Sequence, residues 1–128
     1  MKVARILLVD DEAEVRRFLA RRLSRRGYEV TTATDSDQAR ALLAEGAFDL
    51  AILDFMMPGM NGLELAAQCR LRYPDVRVLM LTGSPVISEI EMAGYPCLRK
   101  PLENLQEFDQ TIERLLAPEG NNPGEGGG

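Results

Sequence analysis

The chain contains no histidine, and its two cysteines, Cys69 and Cys97, fit neither a metal-ligand spacing nor a disulfide framework. Without an imidazole, histidine acid–base catalysis and a phosphohistidine intermediate are both excluded. Two unpatterned thiols read as reduced residues of a cytoplasmic protein. Basic residues are not in excess: 15 Lys and Arg stand against 20 Asp and Glu, for a net charge of −5. That balance argues against a broad electrostatic nucleic-acid surface and leaves room only for local basic patches. No apolar run approaches the roughly 18 residues of a membrane span, and no secretory leader is expected before the first strand. No internal repeat is present.

What is present is an ordinary globular mixture: 128 residues, 45% hydrophobic and 27% charged. The length suits one domain with a sizeable core. RILLV, residues 5–9, reads as a buried strand because it is short, continuous and apolar. A helix is predicted over 12–26, with Val15, Phe18, Leu19 and Leu23 on one face, ended by Gly27. Further strands are predicted over 28–33, 50–53, 77–81 and 97–99. Helices are predicted over 35–45, 62–73 and 102–116, the last with Leu105, Phe108, Ile112, Leu115 and Leu116 as its stripe. Residues 84–93 allow a short helix at best. Alternating strands and helices predict an α/β fold with a parallel sheet covered on both faces. Residues 1–116 form the expected domain. The remaining 117–128, ending in GNNPGEGGG, lack core-forming residues and read as a flexible tail.

LLVDDEAEV, residues 7–15, poses the functional question, because two adjacent acids end a buried strand. Asp10, Asp54, Thr82 and Lys100 each follow or end a predicted strand. In an open parallel sheet the carboxyl ends of the strands line one edge, where ligands bind at the topological switch point. Asp10, Asp11 and Asp54 together would repel one another unless a cation relieved them. Few carboxylates with room for water describe Mg2+ better than zinc or a calcium cage.

This set of residues resembles a response-regulator receiver domain of two-component signalling, the CheY-like family. The resemblance rests on Asp10–Asp11, on Asp54 in LDFMMPGMNG, on Thr82 in LTG and on Lys100–Pro101 in RKP, and it covers residues 5–116. Each motif is weak alone; their order and common placement at strand ends are specific. The resemblance implies a flavodoxin-like (βα)5 doubly wound sheet of five parallel strands in the order 2-1-3-4-5, with a shortened fourth helix. It implies that Asp54 is the phosphoacceptor, taking a phosphoryl group from a sensor histidine kinase or a histidine phosphotransfer protein and switching a downstream partner or attached domain. Asp11 would bind Mg2+ most directly, Asp10 through water, with Asp54 and the backbone carbonyl of Met56 completing the set. Lys100 and Thr82 would each hold a phosphoryl oxygen, and the Lys100–Pro101 bond would be cis. The implied product is a phosphorelay signalling domain rather than an enzyme acting on an external substrate, with no nucleic acid or membrane bound by this chain.

Plainer readings stand beside these. Asp11 with Glu14 fits a helix capping box, and Asp54 fits a turn before Pro58 and Gly59. Glu12 and Arg16 fit an i,i+4 ion pair, and the arginines of the first helix fit a solvated face. The sharper expectation for that helix is that its exposed arginines dock the phosphodonor. Cys97 stands where the family usually carries an aromatic ring, and the 82–100 segment is shorter than usual by about one helical turn. Tyr95 shares the strand parity of Cys97 but lies about 7 Å away along an extended chain. The expected output is therefore atypical: a phosphate sink, a partner-specific adaptor or a receiver attached to another module. The alternative is a pseudo-receiver that binds partners without phosphorylation. A phosphohydrolase with a strand-end aspartate nucleophile would need a second acid at position 56, which is methionine.

Overall fold

The computed structural model describes residues 2–83 and 87–118. Five strands, β1 (Arg5–Val9), β2 (Glu29–Ala33), β3 (Leu50–Asp54), β4 (Arg77–Thr82) and β5 (Cys97–Arg99), form one parallel sheet in the order 2-1-3-4-5. The helices between and after them are α1 (Ala13–Arg25), α2 (Ser36–Glu45), α3 (Gly62–Arg72), α4 (Ile87–Met92) and α5 (Leu105–Leu116).

Side chains along a strand alternate between faces, and the apolar runs obey that period. Ile6, Leu8, Leu50, Ile52, Leu79 and Leu81 lie in one core cluster with Leu19 and Leu23 of α1 and with Phe108 and Ile112 of α5. Leu7, Val9, Ala51, Leu53, Val78 and Met80 lie in the other, with Ala39 and Leu43 of α2, Leu65, Ala66 and Cys69 of α3, and Ile90 of α4. Helices on both faces explain why β1 and β3 are apolar without alternation. β2 lies to one side of β1 and β3 to the other, so the chain reverses direction across the sheet between β1 and β3. Asp10 and Asp54 stand at that reversal.

Helix boundaries and one inward face differ from the sequence reading. Helix α1 starts at Ala13 with Glu12 at its N-cap and no side-chain cap, so Asp11 and Glu14 do not form the predicted capping box. Helix α5 starts at Leu105 rather than residue 102, because the Asn104 side chain accepts from the Glu107 N–H at 3.0 Å. Asn61 and Glu64 form a capping box at the start of α3. Phe18, predicted inward, is 52% exposed. At 100° per residue it lies about 100° from the centre of the Val15–Leu19–Leu23 stripe, beyond the buried arc. The fourth helix is short, at six residues. Residues 84–86, at the start of the segment where only a poor helix was expected, and residues 119–128 of the expected tail lie outside the described residues.

The arginines of α1 are not one solvated face. Arg22 grips the buried Asp109 of α5 with two hydrogen bonds, Nε to Oδ1 at 2.9 Å and Nη2 to Oδ2 at 2.6 Å. Arg26 reaches the same carboxylate at 3.4 Å and also pairs with Glu113. The Arg22 hydrogen bonds, helped by the charges of both arginines, hold the Asp109 carboxyl below its usual range. The bridge ties α1 to α5 across 87 residues of sequence. Arg16 donates to the Asp10 carbonyl at 2.8 Å, and the predicted Glu12–Arg16 ion pair is not formed. Arg17, Arg21 and Arg25 remain exposed.

Candidate functional site

At the reversal point three carboxylates converge on one ammonium. Asp10 follows β1 and is fully buried; its Oδ1 accepts from the Glu12 N–H at 2.9 Å and turns the chain into α1. Its Oδ2 accepts from Lys100 Nζ at 3.0 Å. Asp54 ends β3 at 4% exposure, accepting from the Met56 N–H at 3.4 Å and from Lys100 at 3.4 Å. Lys100 follows β5 before a cis bond to Pro101, and its side chain is 12% exposed. Its third contact, at 2.7 Å, is Glu12 Oε1.

These groups line or underlie a cleft of about 660 Å3 walled by Asp11, Glu12, Asp54, Met56, Gly83 and Lys100. Asp11 is exposed at its rim, and Met56 is 62% exposed. Thr82 ends β4, is fully buried, and its carbonyl accepts from the Lys100 N–H at 2.9 Å. The strand ends therefore bring Asp10, Asp54, Thr82 and Lys100 to one edge, as their spacing predicted. Glu12 was missed. Its signal is position: the residue after the acidic pair falls at the N-cap of α1, from which a glutamate can reach across the cleft.

The electrostatics follow from burial. Loss of solvation, with the charge of Asp10 second, pushes the Asp54 carboxyl from its ordinary 3.8 to about 6; Lys100 opposes the shift. Burial alone would lower the Lys100 ammonium, but hydrogen bonds to Glu12 and Asp10 and the charges of Asp54 and Asp10 raise it on balance. One cation against three acids leaves the site short of positive charge. Ligand oxygens of Asp10, Glu12 and Asp54 lie within 4.8 Å of one another. The buried Asp10 and Asp54, with Asp11 at the rim, offer an all-carboxylate donor set, which suits a hard divalent cation rather than a soft metal.

The loop after β3 is tied to the start of α2. The buried Ser36 Oγ accepts from the Met60 N–H at 2.9 Å, and Gly59 passes above it with a φ of 85°. On the far side, Tyr95 is buried beneath Arg70 of α3, whose guanidinium carbon lies 4.0 Å from the ring centroid. Arg70 also donates to the carbonyls of Ala93 and Gly94. Both cysteines are free thiols, each pushed up to about 11, chiefly by burial, which leaves them poor nucleophiles at neutral pH. Among the described residues no helix is long and apolar enough to cross a membrane.

Comparison with known proteins agrees with this geometry. Residues 6–113 match the family model of the response regulator receiver domain. The chain is 44% identical over 121 residues to the response regulator MprA of Mycobacterium sp. (strain KMS), covering 90% of this chain and 53% of that protein. It thus spans about half the length of that relative. It is 34% identical over 116 residues to the response regulator receiver protein CpdR of Brucella abortus (strain 2308), covering 88% of this chain and 96% of that one. Among solved structures, the response regulator TrrA of Thermotoga maritima, determined in complex with Mg(2+)-BeF, has a TM-score of 0.82 and 34% identity, over 89% of this chain and 100% of that one. In a second structure that includes TrrA, a complex with the histidine kinase ThkA, the matched chain has a TM-score of 0.80 and 35% identity, over 90% of this chain and 100% of that one. With its sheet order, its acidic cleft and these matches in accord, the chain belongs to the response regulator receiver domain family.

Proposed function

We propose that this receiver domain accepts a phosphoryl group on Asp54 from a phosphohistidine of a sensor kinase or phosphotransfer protein. One observation carries the reading: Lys100 Nζ sits 3.0 Å from Asp10 and 3.4 Å from Asp54, so that three strand ends supply a nucleophile, a companion acid and a cation to one open cleft. An Asp54 oxygen attacks phosphorus in line, the P–N bond breaks, and the imidazole leaves with the electron pair and takes a proton. Lys100 and Thr82 each hold a phosphoryl oxygen of the product. Asp10 and Asp54, with the rim acid Asp11 and the Met56 carbonyl, would hold Mg2+, which supplies charge neutralisation to the transferring group. The hard carboxylate set fits that ion. Positioning and electrostatics carry the chemistry, so the domain acts as a relay component in the cytoplasm rather than as an enzyme on an outside substrate. The structure of TrrA with a histidine kinase supports the donor class. The short α4, with Cys97 at the position expected to hold an aromatic ring, supports an output through a partner or attached domain that does not use the family's usual face.

Acetyl phosphate with Mg2+ should place one phosphoryl group on the wild-type chain and none on Asp54→Asn, read by intact mass and acid-stable, hydroxylamine-labile labelling. A wild-type chain that stays unlabelled would favour the pseudo-receiver reading. The exposed Arg17 and Arg21 on α1 are expected to steer the protein donor. Reversing both to glutamate should slow transfer from a phosphorylated kinase about tenfold at low salt and leave acetyl phosphate labelling within twofold. Equal slowing with both donors would refute the steering role.

A further inference from the structure

We infer that Glu12 is a latch on Lys100: it occupies one donor of the resting ammonium and must let go when a phosphoryl oxygen arrives. The inference rests on the phosphoacceptor reading of Asp54. An ammonium has three N–H donors. All three are taken here, by Asp10 at 3.0 Å, Glu12 at 2.7 Å and Asp54 at 3.4 Å. Lys100 can therefore serve an incoming phosphoryl oxygen only if one carboxylate withdraws.

The three acids differ in their freedom to do so. Asp10 is fully buried, and its other oxygen already accepts from the Glu12 N–H. Withdrawing it would strand a charge away from water. Asp54 is itself the acceptor. The Glu12 side chain is 60% exposed, and water can replace Lys100 around its carboxylate at small cost. The shortest of the three contacts is thus the one that can open. Until it opens, Glu12 places a third negative charge at the mouth of a cleft that must admit an anion. Glu12 acts through Lys100 and is a positioning residue, not a catalytic one.

The test compares wild type with Glu12→Ala, Glu12→Asp and Glu14→Gln, using acetyl phosphate at fixed Mg2+ and separating the half-saturating concentration from the maximal rate. Glu14 is an exposed acid in the first turn of α1 that, among the described residues, makes no hydrogen bond or ion pair to Lys100. Glu12→Ala should lower half-saturation about three- to fivefold, the scale of one exposed charge-assisted contact, with the maximal rate within twofold. Glu12→Asp, which keeps the carboxylate, should recover most of the wild-type value. Glu14→Gln should move it by less than twofold. Before any donor is added, the Lys100 ammonium protons, followed by 15N-edited NMR, should exchange with water faster in Glu12→Ala than in wild type. Unchanged or raised half-saturation in Glu12→Ala, or an equal effect of Glu14→Gln, overturns the latch alone. A wild-type chain that takes no label overturns the phosphoacceptor reading and the latch with it.

Discussion

Asp54→Asn is expected to stabilise the cation-free domain by about 3 kcal/mol at pH 8, raising its melting temperature by roughly 10 °C. The Asp54 carboxyl titrates at about 6 in the folded chain against an ordinary 3.8. A carboxyl raised in this way favours the folded state only while protonated. Its contribution is full below pH 3.8, falls as pH rises toward 6, and above that the ionised group costs the fold about 1.4 kcal/mol for each unit of pKa. Asparagine has the shape of the protonated acid and never ionises. Lys100 keeps Asp10 and Glu12 as partners in the variant, so the ammonium is not stranded.

The difference between the two proteins should therefore grow with pH, from near zero at pH 4 to its full value above pH 7. Urea denaturation in chelator at several pH values measures it. A pH-independent difference, or a variant less stable at pH 8, would show that burial does not strain this carboxylate. Millimolar Mg2+ should stabilise wild type more than the variant, because the proposed ion binds the ionised carboxylate and binding adds to folded-state stability. Strain of this kind would serve the proposed site, because a buried acid short of positive charge favours a cation and an electrophile.

The parts of this arrangement that are local in sequence are legible there. Continuous apolar runs mark β1 and β3 as doubly covered strands, and a polar residue after each run marks the functional edge. Asp10, Asp54, Thr82 and Lys100 all follow from that rule. Contacts between elements distant in the chain are not legible in the same way. Glu12 meets Lys100 across 88 residues, and Arg22 meets Asp109 across 87. Each depends on the angle at which two elements pack, which no spacing rule encodes. Asp109 did carry a hint: an acid four residues after Leu105 lies on the inner side of α5, where only a partner could keep it charged. Phe18 misled because an i,i+3 step from Val15 turns the opposite way from the i,i+4 steps to Leu19 and Leu23. Tyr95 is buried under Arg70 through a contact between α3 and the α4–β5 loop, which residue parity along a strand could not reveal.

Gly62→Ala is expected to cost about 3 kcal/mol or more, and the reason lies in the backbone rather than in any side chain. A Cβ built at Gly62 would lie 2.3 Å from the Asp54 carbonyl oxygen and 2.8 Å from the Phe55 Cα. Neither atom can rotate away. The Asp54 carbonyl belongs to the last residue of β3, and the Phe55 N–H is bonded to the Leu81 carbonyl of β4 at 2.9 Å. The Gly62 N–H is itself bonded to the Phe55 carbonyl at 2.9 Å, which draws the start of α3 onto the strand end. One methyl group must therefore push α3 off the sheet or push Asp54 out of the cleft. Both moves disturb Leu65 and Ala66, which are fully buried one turn further along α3. Chemical denaturation should register the loss in full. Whatever fraction stays folded should label slowly with acetyl phosphate, since Asp54 would no longer face Lys100 at the native distance. As a comparison, Ala67→Gly, on the exposed side of the same helix, should cost only about 1 kcal/mol and leave labelling intact. Equal stability of Gly62→Ala and wild type would mean that the strand end and the helix start can separate without consequence, and the seating of Asp54 would need another cause.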